Sequence, residues 1–304
     1  MIKQKRYHNS FFVPVKYLLP YLGVRILSAC LRVMPFAMLS ILSRIISIFL
    51  HHILRYRRET AMHNLANCFP EKSHLELKRM LSAVYLNVSD VFLETIKAFS
   101  ISPLGILRHI EPPSREQLSL YQSHFRGAIL ATAHFTNWEW CGYSLTEILP
   151  GQGIAVYRPL KNPYVDLMMH KHREKSRMKI VPMRQIVKLL AGGAAASHFV
   201  LLIADQSPDP DSAQWEDFFG IRTAFFKGPA TLAQRYNLPV FFVYLERIRR
   251  HHYRMCLEPL SLDPKSHTLT EITRLYVQSL EQRIRNTPES WLWTHRRWKH
   301  ALPV

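Results

Sequence analysis

The chain has 304 residues, 48% of them hydrophobic, enough for one large core or two modest ones. Lys and Arg number 40 against 22 Asp and Glu, a formal net charge of +18 that calls for anionic partners: lipid phosphates, a nucleic acid or an acidic carrier protein. Ten glycines and no Walker A or GxGxxG loop argue against ATP or dinucleotide chemistry, and four scattered cysteines (Cys30, Cys68, Cys141, Cys256) without CxxC spacing read as free thiols in a reducing compartment.

The first region, residues 1–58, is apolar but interrupted. Between Tyr17 and Leu54 stand Arg25, Arg32, Arg44, Pro20 and Pro35, so no uncharged run reaches the roughly 18–20 residues of an ordinary spanning helix. No small-residue cleavage site follows a clean apolar stretch, which argues against a removable signal peptide. Two amphipathic helices, about 15–33 and 36–54, fit better. Their arginines snorkel to anionic headgroups while Leu, Ile and Phe enter the acyl layer. Lys3, Lys5, Arg6 and Lys16 add positive charge at the same end. The basic run Arg55-Tyr56-Arg57-Arg58 closes this anchor, and residues 59–304 are expected to form the second domain.

Leu77, Met80/Leu81, Val84/Tyr85, Val88, Val91/Phe92 and Ile96 recur at helical spacing over 73–98, with Ser73 and Glu76 as a capping box. Residues 102–113 carry three prolines and read as a connection. Strand-like runs then alternate with helix-like ones. Strands are expected at 128–133, 154–157, 199–204 and 240–245, with a further one at 254–258. Helices are expected at 138–149, 164–176, 184–190 and 229–236. A last helix over 269–284 starts at a second capping box, Thr268 and Glu271. The pattern predicts an α/β fold: a mixed, largely parallel central sheet flanked by helices, preceded by a helical membrane-associating region.

In such sheets ligand sites gather beyond the carboxyl ends of the strands. His134 follows the first strand, Arg158 the second, and Asp205 and Gln206 the third, which predicts one composite site. His134 and Glu139 are the candidate catalytic pair. The Glu139 carboxylate would hold one ring nitrogen and stabilise the imidazolium, leaving the other nitrogen to take a proton from a hydroxyl. Such a pair suits acyl transfer to an alcohol and equally a hydrolase. Arg158, set before Pro159, and Arg173 are candidates to hold a phosphate. Asp205 would orient one of these arginines or the histidine. Asn137 opens the helix whose first backbone amides are candidates for stabilising an oxyanion, and it joins Gln206 among the substrate-binding residues. The paired histidines 51/52, 170/172 and 251/252 lack i,i+4 spacing, so neither a metal nor another cofactor is expected. Trp291, Trp293 and Trp298, beside Arg296, Arg297 and Lys299, fit a core edge or a membrane-interface belt better than a nucleic-acid platform.

Several motifs resemble one family. Asn64-Leu65-Ala66-Asn67-Cys68-Phe69-Pro70, His134-Phe135-Thr136-Asn137-Trp138-Glu139, the block 156–163 with Asp166 and Arg173, and Ala204-Asp205-Gln206 carry the likeness. So do Phe218-Phe219-Gly220, residues 228–233 and the closing segment 291–299. Together they are similar to the bacterial lipid A late acyltransferases of the lauroyl/myristoyl type, within the wider lysophospholipid acyltransferase-like group. Thr136 departs from the pattern, since glycine is frequent there, and Phe225, Phe226 and Lys227 make the loop before Gly228 bulkier than usual. The resemblance implies an inner-membrane enzyme with its catalytic domain on the cytoplasmic face. It also implies acyl–acyl carrier protein as donor and a hydroxyl of an already acylated amphiphile as acceptor. Transfer would be direct, because no GxSxG elbow or paired Cys/His motif offers a covalent nucleophile. The partners expected are a membrane lipid, an acyl carrier protein and an anionic membrane surface, with no nucleic acid. The alternatives are acylation of an aminolipid or lysophospholipid and, in another class, a basic membrane- or nucleic-acid-binding module.

Overall fold

The computed structural model describes residues 15–157 and 159–300. Helix α1 (Val15–Val33) and helix α2 (Phe36–Ile48) form on either side of Pro35, and α2 continues as a π-helical turn, Phe49–Ile53. Residues Phe36–Ile53 together make one helix long and apolar enough to cross a membrane despite Arg44, where the sequence reading expected no ordinary span. This helix is inverted relative to a soluble one. Its buried stripe is Leu39, Ser43, Ser47 and His51, at i,i+4 spacing, whereas Met38, Ile41, Ile45, Ile48 and Phe49 face outward. Ile41 alone is 64% exposed. A face of this kind costs free energy in water and gains it in an acyl layer, so it supports membrane association.

Helix α3 (Arg58–Cys68) and the long α4 (His74–Ala98) follow. Ser73 and Glu76 form the expected capping box, each side chain meeting the other's backbone N–H. Leu31, Leu39, Leu93 and Ile96 make a small core that binds α1 and α2 to α4. Lys97, buried on α4, donates to the Leu31, Arg32 and Met34 carbonyls, at 2.5, 3.3 and 2.8 Å. An ammonium there satisfies the orphan carbonyls of α1 and opposes the negative end of its dipole.

The remaining elements are α5 (Pro103–Leu107), β1 (Ile110–Glu111), α6 (Arg115–His124), β2 (Ala128–Thr132), α7 (Trp138–Ile148) and β3 (Gln152–Tyr157). Then come α8 (Pro163–Glu174), β4 (Lys179–Pro182), α9 (Met183–Ala191), β5 (His198–Ile203), β6 (Ala213–Phe218), β7 (Ile221–Phe226) and α10 (Gly228–Tyr236). The series ends with β8 (Val240–Arg249), β9 (His252–Ser261) and α11 (Leu269–Asn286), the last opened by the Thr268–Glu271 capping box. The central sheet has seven strands in the order β1-β9-β8-β2-β5-β3-β4. Every adjacent pair is parallel except the β8–β9 hairpin, so the sheet is mixed and largely parallel, as expected.

Both faces of the sheet are covered. Along β2, Ile129 and Ala131 join one core with Leu232, Tyr276 and Leu280, while Ala128 and Leu130 join the other with Trp140 and Leu145. That alternation is the two-residue period of a strand packed on both sides. Each fully buried Leu or Phe contributes about 1.5–3 kcal/mol. The connection expected at 102–113 contains α5 and β1, nucleated where Ser102 caps Gly105 N–H ahead of Pro103. The β6–β7 hairpin, which lies outside the main sheet, turns on Phe219 and Gly220, both at positive φ.

Candidate active site

The register of the sheet builds the site. Thr132 of β2 pairs with Ile203 of β5, so the same offset, carried two residues past the strand ends, brings His134 opposite Asp205. His134 Nδ1 lies 2.8 Å from Asp205 Oδ1, and the His134 backbone N–H donates to Asp205 Oδ2 at 2.9 Å. The indole N–H of Trp291 donates to that same oxygen at 2.9 Å. Asp205 is buried and receives all three bonds. With the carboxylate at Nδ1, the imidazole carries its hydrogen there and turns the Nε2 lone pair outward. Gln206 Nε2 stands 3.2 Å from His134 Nε2, and the His134 side chain is 16% exposed.

Burial acts to lower the His134 pKa, but the Asp205 charge, its hydrogen bond and the more distant Glu139 charge outweigh it and hold the pKa above the usual histidine value. For Asp205, burial acts upward, and the His134 charge and the hydrogen bonds from His134 and Trp291 bring it below the usual carboxylate value. The two shifts agree: the pair is stabilised in its ionised form.

Glu139 does not hold the imidazole, which corrects the sequence reading. It makes a bidentate pair with Arg173, whose Nη2 lies 2.8 and 3.1 Å from its two carboxylate oxygens. The reason is geometric. Glu139 lies in the first turn of α7, pointing toward α8, whereas Asp205 follows the neighbouring strand β5 at the same height as His134. Glu139 therefore acts on His134 through its field. Of the two roles open to Asp205, arginine or histidine, the structure realises the second.

Asn137 is fully buried, and both ends of its amide are engaged. Its oxygen caps α7 by accepting from Trp140 N at 2.9 Å, and its nitrogen donates to Glu94 Oε2 at 2.6 Å. It is a cap, not a group facing substrate. The chain reaches it through Thr136, at φ 47 in the left-handed region, a conformation costly for a β-branched residue. The Thr136 N–H donates to Ser290 O at 2.7 Å, and its hydroxyl is shared between Phe135 O and Leu245 O. A glycine would adopt this backbone without strain. Arg158 lies outside the described residues.

Three supporting residues have site roles that the sequence reading does not assign to them. Trp291 is buried and bonds Asp205, although it was read as part of a core edge or belt. Asn64 donates to Trp293 O and His295 O, both at 2.9 Å, and so pins the closing segment over the site. Glu94 is fully buried and joins Asn137, His251 and Tyr253, at 2.6 Å to the first two. A signal for Glu94 existed: Asp90, Glu94 and Lys97 interrupt the apolar face of α4 with charges. Among the described residues, no three His, Cys, Asp or Glu side chains gather as a metal-ligand set.

Comparison with known proteins places this arrangement first by class: the chain is an acyltransferase. It belongs to the bacterial lipid A biosynthesis acyltransferase family, whose pattern it matches over residues 4–300. It is 22% identical over 301 residues to the lipid A biosynthesis palmitoleoyltransferase of Escherichia coli K12, covering 98% of this chain and 96% of that protein. It is 23% identical over 286 residues to the lipid A biosynthesis lauroyltransferase of the same organism, covering 93% and 92%. A lipid A biosynthesis acyltransferase of Haemophilus influenzae is 23% identical over 278 residues, covering 86% of this chain and 82% of its own.

Proposed function

We propose that this protein transfers a fatty acyl chain from an acyl carrier protein thioester to a hydroxyl of a lipid A precursor. We place it at the cell inner membrane, with the catalytic domain on the cytoplasmic face. His134 Nε2 takes the proton of the acceptor hydroxyl while Asp205 stabilises the imidazolium. The oxygen attacks the thioester carbonyl to give a tetrahedral oxyanion. The C–S bond then breaks, and the leaving thiolate recovers the proton from His134. The Gln206 amide marks where the acceptor oxygen arrives and, once displaced, donates to the oxyanion. Arg173, part-exposed beyond Glu139, has donors left for an acceptor phosphate, and Arg158, next after β3 in sequence, is assigned to the same phosphate.

The observation that carries the reading is the part-exposed His134 Nε2 with a buried carboxylate behind it, in a chain similar over nearly its whole length to lipid A acyltransferases. The acidic carrier is favoured by the net charge of +18. Mass spectrometry of total lipids from cells with and without the chain tests it. The expected result is a lipid A lighter by one acyl group when the chain is missing. An unchanged lipid A beside an altered aminolipid would contradict the acceptor assignment.

A further inference from the structure

Between α1 and α8, on the side of α8 away from the Arg173–Glu139 pair, lies a cavity of about 580 Å³. Arg25 and Arg32 reach it from α1, and Lys171 and Lys175 from α8. No Asp or Glu lines it, and none of the four cations forms an ion pair among the described residues. All four are exposed, so water screens their mutual repulsion, and together they give the cavity a positive potential that an anion would lower. His172 adds no charge to this lining. It is buried in the same lining and stacks on Tyr143 with ring centroids 4.4 Å apart, so the cavity meets an aromatic pair there and not a carboxylate. Burial, with Lys175 and Arg173 nearby, pushes its pKa down to about 3, so the ring is neutral.

The wall contributed by α1 decides between a free and a tethered anion. Leu19, Leu22, Ile26 and Val33 are exposed on that helix, so the cavity opens beside an apolar surface suited to acyl chains. We propose that this cavity is a binding site for the phosphate headgroup of an anionic membrane lipid, separate from the site at His134. Arg25, Arg32, Lys171 and Lys175 hold the phosphate, and the lipid tails lie along α1. The proposal rests on membrane association and not on acyl-transfer chemistry, so it stands or falls separately from the function proposed above.

The test uses the full chain and vesicles of phosphatidylcholine with or without phosphatidylglycerol, with co-sedimentation as the readout. The intact protein is expected to prefer the phosphatidylglycerol vesicles. The double substitution Lys171→Gln, Lys175→Gln should weaken that binding by about tenfold, whereas Lys78→Gln with Lys265→Gln, exposed charges elsewhere, should leave it within about twofold. Ala29→Trp keeps every charge but fills the cavity, and it should lose the preference as the double substitution does. Equal losses from both charge pairs, or a preference retained after Ala29→Trp, would mean diffuse surface charge and overturn the site. Tight binding of inorganic phosphate in detergent, with no preference among vesicles, would identify a free-phosphate site and overturn the lipid assignment.

Discussion

Two histidine–carboxylate pairs have the same short contact and differ in what surrounds them. His134 meets Asp205 at 2.8 Å, and His251 meets Glu94 at 2.6 Å. His251 is 3% exposed, and its other nitrogen lies 2.8 Å from Ser40 Oγ of α2. Glu94 also takes Tyr253 and Asn137. That pair is closed on every side and joins the membrane-facing helix to the cap of α7. His134 has the same chemistry on one nitrogen, but its other nitrogen lies 3.2 Å from the part-exposed Gln206 side chain and its ring is part-exposed. A short bond between an imidazole and a carboxylate therefore does not mark an active site. A second nitrogen within reach of substrate does.

Substitutions should separate the two pairs. His134→Ala is expected to lower acyl transfer by about 10²–10⁴-fold while thermal denaturation in detergent shows an unchanged fold, because it removes the general base. Glu94→Ala should do the reverse. It leaves His251, Asn137 and Tyr253 buried without their carboxylate, at a cost of about 3–5 kcal/mol in stability, read as a lowered melting temperature. A Glu94→Ala protein that melts like the parent would mean the closed network is not structural. Glu139→Gln should reduce transfer by about tenfold, because it removes a field and an Arg173 partner but no bond to the imidazole. Thr136→Gly should move stability by only about 1 kcal/mol, since relief of the left-handed strain offsets the lost hydroxyl bonds.

Much of the fold could be read from local pattern. The strands at 128, 154, 199 and 240, the helices between them and both capping boxes follow from periodicity and end signals. The β6–β7 hairpin escaped because Phe219 and Gly220 turn it without the usual Asn-Gly signature. Helix α3 buries a stripe of mostly small residues, Ala61, Leu65 and Cys68, around the polar Asn64, which gives little periodic signal in the sequence. The site divides the same way. His134, Asp205 and Gln206 were legible as polar residues at strand ends. Asp205 stood as a partner for either an arginine or the histidine, and the choice depends on the β2–β5 register; sequence proximity put Glu139 on the imidazole. The inverted polarity of α2 was hidden for a related reason: Ser43 is buried by Asp90, a partner 47 positions away.

The most direct test is the pH dependence of acyl transfer for the intact protein, Asp205→Asn and Glu139→Gln. General-base chemistry makes the rate rise with pH as His134 loses its proton, with a midpoint above the ordinary histidine value because Asp205 favours the charged ring. Asp205→Asn removes that support and leaves burial dominant, so the midpoint should fall and the plateau rate should drop by about 10²-fold. Glu139→Gln should shift the midpoint in the same direction but by less. If Glu139→Gln moves the midpoint further and costs more rate than Asp205→Asn, the assignment of Asp205 as the partner of His134 is wrong.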